Sequence, residues 1–328
     1  MIISKTPYRL SLFGGGADYP SWFVSNKTKL VSAAMANYCY ISVKQLPPYF
    51  DYVNRVIYSK IESIPTFDQI EHPSVRACLK YLQVPNGISI THDGDLPARS
   101  GIGSSSSFTV GLINALQVYL GKKPLSQFDL AMKAINIEQN VIGESVGVQD
   151  QIMAAYGGIK VIELSGANMN VRDLKISDGY VDDFESHIML GFSGISRLSE
   201  VQAKKQVDSI KEGKSTKTLE DMQELTRFAI EAFETESSFS DIGLFLQHQW
   251  KLKRTLTDSV SSEHINSIYT DAIQAGAYGG KLMGAGGGGF FMFLAPPDAH
   301  QKIKDALKQI NVWIPFKFDY EGSKIIMR

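Results

Sequence analysis

Cysteine is almost missing from this chain: Cys39 and Cys78 are the two among 328 residues, and they fall in no metal-binding or redox spacing. They read as small buried hydrophobes of a protein kept in a reducing compartment. No apolar run is long enough to span a bilayer. Lys5 and Arg9 interrupt residues 1–13, which would have to hold the apolar core of a signal peptide, so the expected location is the cytoplasm. Excess charge is lacking too. The net charge of −1 excludes a general binder of nucleic acid or of an acidic membrane, while a local basic pocket for a phosphorylated molecule would be invisible in that sum. The six histidines are scattered without ligand spacing, and there are no internal repeats. No Gly-Lys-Ser or Gly-Lys-Thr follows any of the glycine loops, which rules out an ordinary Walker P-loop.

What remains is ordinary globular material, 44% apolar and long enough for two cores. Residues 97–108, PARSGIGSSSSF, stand out. Pro97 ends an extended run, Gly101 and Gly103 allow a tight turn and a close approach to a ligand, and Ser104, Ser105, Ser106 and Ser107 open a long apolar-periodic segment. A loop feeding a helix start collects free N–H groups and the positive end of the helix dipole, which suits a phosphate. One serine can cap the helix while another faces a magnesium ion that accompanies nucleotide phosphates. The same residues also fit a well-capped helix that binds nothing, and the loop alone does not decide between the two.

Along the chain, residues 2–13 alternate like a strand and run into Gly14-Gly15-Gly16-Ala17-Asp18. Arg9 and Asp18 can then point into one cleft, or Asp18 can simply cap a helix near residues 20–24. Strands are expected at 30–36, 38–45, 55–60 and 87–92, with a helix at 75–82. Helical spacing continues over 127–143, with Glu138 beside the apolar face, and a short helix follows Gly147-Val148-Gln149-Asp150. Taken singly, Glu138 and Asp150 are acids of the kind usually solvated. A polar stretch, 165–185, precedes a strand at 187–192. Helices are expected at 198–213, 218–236, 242–258, 264–276 and 299–307, and strands at 290–294, 313–318 and 324–327. Sheet plus clustered helices make the second half α+β. Between them, residues 284–289 hold five glycines in six positions. They match a dinucleotide fingerprint formally, but a strand follows where that motif needs a helix. Close approach by a ligand or by another backbone explains them, as does a buried tight turn.

In this order, PYRLSLFGGGADY, PARSGIGSSSSF, GVQDQ and KLMGAGGGGF resemble the GHMP kinase superfamily, and within it most nearly the D-glycero-D-manno-heptose 7-phosphate kinases. The resemblance covers nearly the whole chain. It implies a two-domain α+β fold: an N-terminal α/β ATP-binding domain over 1–185 and a ferredoxin-like C-terminal domain over 186–328. It also implies ATP phosphates on residues 97 and 100–107, with magnesium held by Ser105 and Glu138. Asp150 would face the acceptor hydroxyl, with Arg9 beside the transferring phosphoryl group. On the acceptor side it places Asp18, Gly15, Gly16, Gly284, Gly286 and Gly287. Gly15 and Gly16 stand where galactokinase carries a Glu-His pair, so free galactose fits poorly. If the acceptor is a sugar phosphate, Arg197 and Lys281 are the candidates for its phosphate. The alternatives are another sugar kinase of the superfamily, a silent sugar or nucleotide sensor, and an ATP-dependent decarboxylase. The expected partners are small molecules, with neither nucleic acid nor membrane among them.

Overall fold

A computed structural model describes residues 1–195, 199–257 and 259–328, with residues 199 and 200 described by backbone alone. Its larger sheet is built on β1 (Ile2–Phe13) and β2 (Thr28–Gln45), paired antiparallel along most of their length. The short helix α1 (Pro20–Phe23) lies between them in sequence. Two strands were expected where β2 runs unbroken. Its register against β1 shifts between Pro7 and Tyr8, opposite Tyr38 and Met35, so a bulge at residues 36–37 carries the strand past the polar interruption. β3 (Asn54–Ile57) and β4 (Ile61–Ile64) form a hairpin, helix α2 (Pro73–Tyr81) follows, and β5 (Ile88–Gly94) pairs with the second half of β2.

The cradle helix α3 (Ser104–Tyr119) is buried along most of its length. Next come α4 (Gln127–Asn136), a π-helical turn (Ile137–Ile142) and α5 (Gln149–Tyr156). The first half of β2 takes β6 (Ile159–Ser165), which pairs with β7 (Asn168–Asp173). β7 falls in the stretch expected to be polar and irregular, because its alternation is only two apolar residues long, Met169 and Val171, amid polar and charged neighbours. So does α6 (Asp178–His187), of whose residues only Phe184 is buried.

The second sheet is antiparallel, in the order β11 (Val312–Ile314), β8 (Ile188–Phe192), β10 (Phe290–Leu294), β9 (Gly279–Leu282). Around it lie α7 (Ser199–Lys211), α8 (Thr216–Glu234), α9 (Phe239–Lys253), α10 (Glu263–Ala275) and α11 (His300–Ala306). β10 is apolar at every position because both of its faces are covered. Phe290, Met292 and Leu294 join the large core shared with the first sheet, whereas Phe291 and Phe293 join a second core with Trp250 and Ile268. The final strand, β12 (Lys324–Met327), returns to pair with β1 in the larger sheet. Among the described residues, no helix is long and apolar enough to cross a membrane.

Candidate active site

Helix α3 begins without a side-chain cap. Its N-cap is Gly103, at φ +74°, a conformation in which a residue with a Cβ is strained. The expected capping serine is therefore absent. Ser106 and Ser107 turn inward instead, where Ser107 Oγ donates to the Pro7 carbonyl (2.8 Å) and Ser106 Oγ to Glu138 Oε2 (2.9 Å). Ser104 is half-buried and Ser105 exposed, so the first turn presents open backbone N–H groups, the arrangement that favours an anion. Ser100 Oγ donates to the Pro97 carbonyl and steadies the loop (2.6 Å), and Pro97 itself is exposed. Arg99, exposed with φ of +61°, is a further cation on the cradle, one that no motif or spacing in the chain singles out.

Asp150 lies against this helix start. A Cβ placed on Gly103 would sit 3.1 Å from Asp150 Oδ2. Arg9 forks the same carboxylate, Nε to Oδ1 at 2.6 Å and Nη2 to Oδ2 at 3.0 Å, while its Nη1 donates to the Gly101 carbonyl (2.5 Å). One guanidinium thus ties β1, the cradle loop and the first turn of α5 together. The pair is asymmetric: the Arg9 side chain is 7% exposed and that of Asp150 28%, so the acid keeps an open edge.

Asp18 is buried and does not cap α1, whose N-cap is Tyr19 without a side-chain bond. Its carboxylate accepts from the N–H groups of Gly16 (3.2 Å) and Gln149 (3.3 Å), and its carbonyl accepts from Val148 (3.1 Å). It therefore pins the glycine turn to the start of α5. Burial first, and then the nearby Asp150 charge, raises its pKa. Gly15 packs on Ser11, and Gly16 faces Leu256 of the second half.

Glu138 sits in the π-helical turn, a geometry that recurs at functional positions, and is fully buried. Gln151 Nε2 and Ser106 Oγ both donate to its Oε2, while Oε1 has no partner. Burial raises its pKa to about 7 against these hydrogen bonds. Among the described residues no cluster of three metal-binding side chains exists. A lone carboxylate with a free oxygen nevertheless fits magnesium, which takes one or two protein carboxylates and draws its other ligands from phosphates and water. The serine in contact with Glu138 is Ser106, where the resemblance implied Ser105.

The third glycine loop packs backbone to backbone on the cradle. A Cβ on Gly284 would lie 2.6 Å from Gly101 Cα, and the Phe290 N–H donates to the Ser100 carbonyl (3.0 Å). Gly286 abuts Val260, and the Gly287 N–H bonds the Val260 carbonyl (2.9 Å). Backbone approach thus accounts for these glycines. Lys281 is 1% exposed and donates to the Leu12 carbonyl (2.9 Å), tying β9 to the end of β1. Burial, with Lys253 and Arg9 nearby, drives its pKa well down, so it is an internal tie and not a solvent-facing phosphate contact. Arg197 lies outside the described residues.

Lys253 was missed. Its ammonium donates to the carbonyls of Leu282 (3.0 Å) and Gly284 (2.5 Å), and burial followed by the charge of Arg9 lowers its pKa to about 7. A lysine on the buried face of α9, three residues after Trp250, was the available signal.

Residues 73–158 match the GHMP kinases N terminal domain and residues 229–311 the GHMP kinases C terminal domain. The D-glycero-alpha-D-manno-heptose 7-phosphate kinase of Campylobacter jejuni is 28% identical, over 98% of each chain. A crystal structure described as a D-glycero-D-manno-heptose 1-phosphate kinase from Bacteroides thetaiotaomicron superposes with a TM-score of 0.75 at 24% identity, covering 100% of this chain and 99% of that one. Galactokinase of Lactococcus lactis, complexed with galactose, gives 0.73 at 17% identity over 99% and 94%.

Proposed function

The chain belongs to the GHMP kinase family of ATP-dependent kinases, and from that premise we propose that it phosphorylates a sugar phosphate, best the anomeric hydroxyl of D-glycero-D-manno-heptose 7-phosphate. One observation carries the reading: Asp150, forked by Arg9, lies 3.1 Å from the Cβ position of the residue that starts the uncapped helix. Acid and phosphate cradle therefore occupy one place. The names of the relatives differ on which phosphate the acceptor already bears, and which of the two monophosphates is consumed decides between them.

Phosphoryl transfer needs alignment and charge neutralisation more than covalent help. The first-turn amides of α3 orient the phosphate chain, Ser104 and Ser105 offer outward hydroxyls, and Arg99 adds an exposed cation at the rim. Magnesium, when bound by Glu138 with a cradle serine, supplies charge neutralisation on the phosphates. Asp150 takes the proton of the acceptor hydroxyl through its open edge. Arg9 holds that carboxylate in register and places positive charge beside the group in transit. Asp18 fixes the start of α5 and with it the aim of Asp150.

The test is incubation with ATP, magnesium and separate pools of free sugars and sugar phosphates, with the product identified by mass and NMR. A heptose 1,7-bisphosphate formed from the 7-phosphate and not from the 1-phosphate supports the reading, and ATP loss indifferent to every acceptor defeats it. Asp150→Asn is expected to keep nucleotide affinity and to lose roughly 10²–10⁴ in turnover, measured by calorimetry and by initial rates.

A further inference from the structure

Buried polar side-chain atoms nearly always have hydrogen-bond partners in a folded protein. Three that lack them lie on α1, on α5 beside its contact with Asp18, and on α7, which packs on α1: Trp22 Nε1, Gln149 Nε2 and Gln202 Oε1, on side chains of residues 5%, 3% and 7% exposed. They come from three separate elements. Gln149 follows the backbone that Asp18 holds, and its Oε1 lies 3.6 Å from the Cβ position of Gly15. Trp22 belongs to α1, immediately after the turn, and packs in a small cluster with Ala17 and Leu256. Gln202 lies on α7, which packs against α1. One turn further along α7, Gln206 Nε2 reaches the Ala285 carbonyl of the third glycine loop (3.1 Å). That face of α7 thus spans from α1 to the loop resting on the phosphate cradle.

We propose that Trp22, Gln149 and Gln202 are specificity-determining residues, whose unpartnered atoms are the hydrogen-bond positions for hydroxyl groups of a polyhydroxylated acceptor on the Asp18 side of Asp150. The inference rests on the kinase reading above and deepens it. Two donors and one acceptor suit an acceptor whose hydroxyls both give and take hydrogen bonds. A site built this way discriminates against an analogue lacking a hydroxyl, because its own polar groups are then left unpaired.

The experiment uses the full chain with two probes, D-glycero-D-manno-heptose 7-phosphate and D-mannose 6-phosphate, the second shorter by one hydroxylated carbon. Binding of each is measured by calorimetry with a non-hydrolysable ATP analogue present, and transfer by initial rates with ATP. The variants are Trp22→Phe, Gln149→Met and Gln202→Leu. Each is expected to raise the heptose KM and Kd roughly 3- to 10-fold, the equivalent of one hydrogen bond. The KM for ATP stays fixed and preference over the mannose compound falls. The melting temperature of the free protein should hold or rise for Gln149→Met and Gln202→Leu, since each removes an unpaired buried group, and should fall for Trp22→Phe, which also leaves a cavity in its cluster. Unchanged acceptor KM in the variants, with the two glutamine variants melting lower, would show that these atoms are bonded within the fold, overturning the inference while the kinase reading stands. Wild-type protein that transfers to neither probe but binds the heptose, and loses that binding in the variants, supports the inference and counts against the heptose kinase reading. Failure to bind either probe overturns both.

Discussion

At the scale of single residues, the unusual investment is positive charge placed inside the protein. Arg9 has Asp150 as a partner, but Lys253 and Lys281 are bonded only to backbone carbonyls. A carbonyl satisfies the ammonium's hydrogen bonds without cancelling its charge, so both amines lose protons more readily than in water. The sign of the consequence follows. The unfolded chain keeps the Lys253 proton up to its ordinary value of 10.5, whereas the folded chain releases it from about 7. Between those values the unfolded state binds more protons, and stability rises with pH by up to about 1.4 kcal/mol per pH unit for one group. Lys281 acts in the same direction. Lys253→Met is therefore expected to flatten the rise in melting temperature between pH 7 and pH 10 without abolishing it. Thermal melts of the two proteins across that range check this, and parallel curves would place the ammonium elsewhere. The amphipathic pattern of α9 puts Lys253 on its buried face, but does not say what would satisfy an ammonium there. Burial of a cation depends on carbonyls from a distant loop, which no local pattern encodes.

At the scale of elements, the site is assembled by contacts between loops far apart in sequence. Gly284 has φ of +69°, and a Cβ there would come within 2.6 Å of Gly101 Cα. Backbone cannot step aside as a flexible side chain can. Gly284→Ala is expected to cost about 1–2 kcal/mol in left-handed strain and a further 1–3 kcal/mol or so in overpacking. It should also raise the KM for ATP, because the displaced partner is the cradle itself. Melting temperature and nucleotide titration report the two effects separately, and a lower melting point with unaltered ATP affinity would uncouple the loops. The three glycine runs were legible in the sequence as points of close approach. That two of them approach each other was not, since spacing says nothing about which backbone is the neighbour. Glu138 shows the same limit from another side: its helix was readable by period, but the π-helical turn that carries it interrupts that period.

At the scale of the molecule, a cut after residue 185 separates two halves by sequence character but not by packing. Phe184 stacks on Phe239 and Phe318 at 5.7 Å each and meets Phe233 edge-on at 5.2 Å, so three aromatic partners of this one ring come from the second half. Phe13 likewise meets Phe233, and β12 closes the edge of β1 through Ile3, Ser4 and Lys5. β10 was visible as an apolar run, but its division between two cores needed both sheets in place. A chain ending at residue 185 would leave the edge of β1 unpaired and the shared core without Phe233, Phe290 and Phe318. Exposed sheet edges and large apolar faces favour association over folding. Residues 1–185 expressed alone are therefore expected to give no cooperative thermal transition, and adding residues 186–328 in trans should restore one only if the halves find each other before they aggregate. A sharp melt of the isolated piece, followed by calorimetry, would instead make it a folding unit in its own right. Lys281, which reaches Leu12 across the same boundary, would then be a latch between finished domains and not a tie within one core.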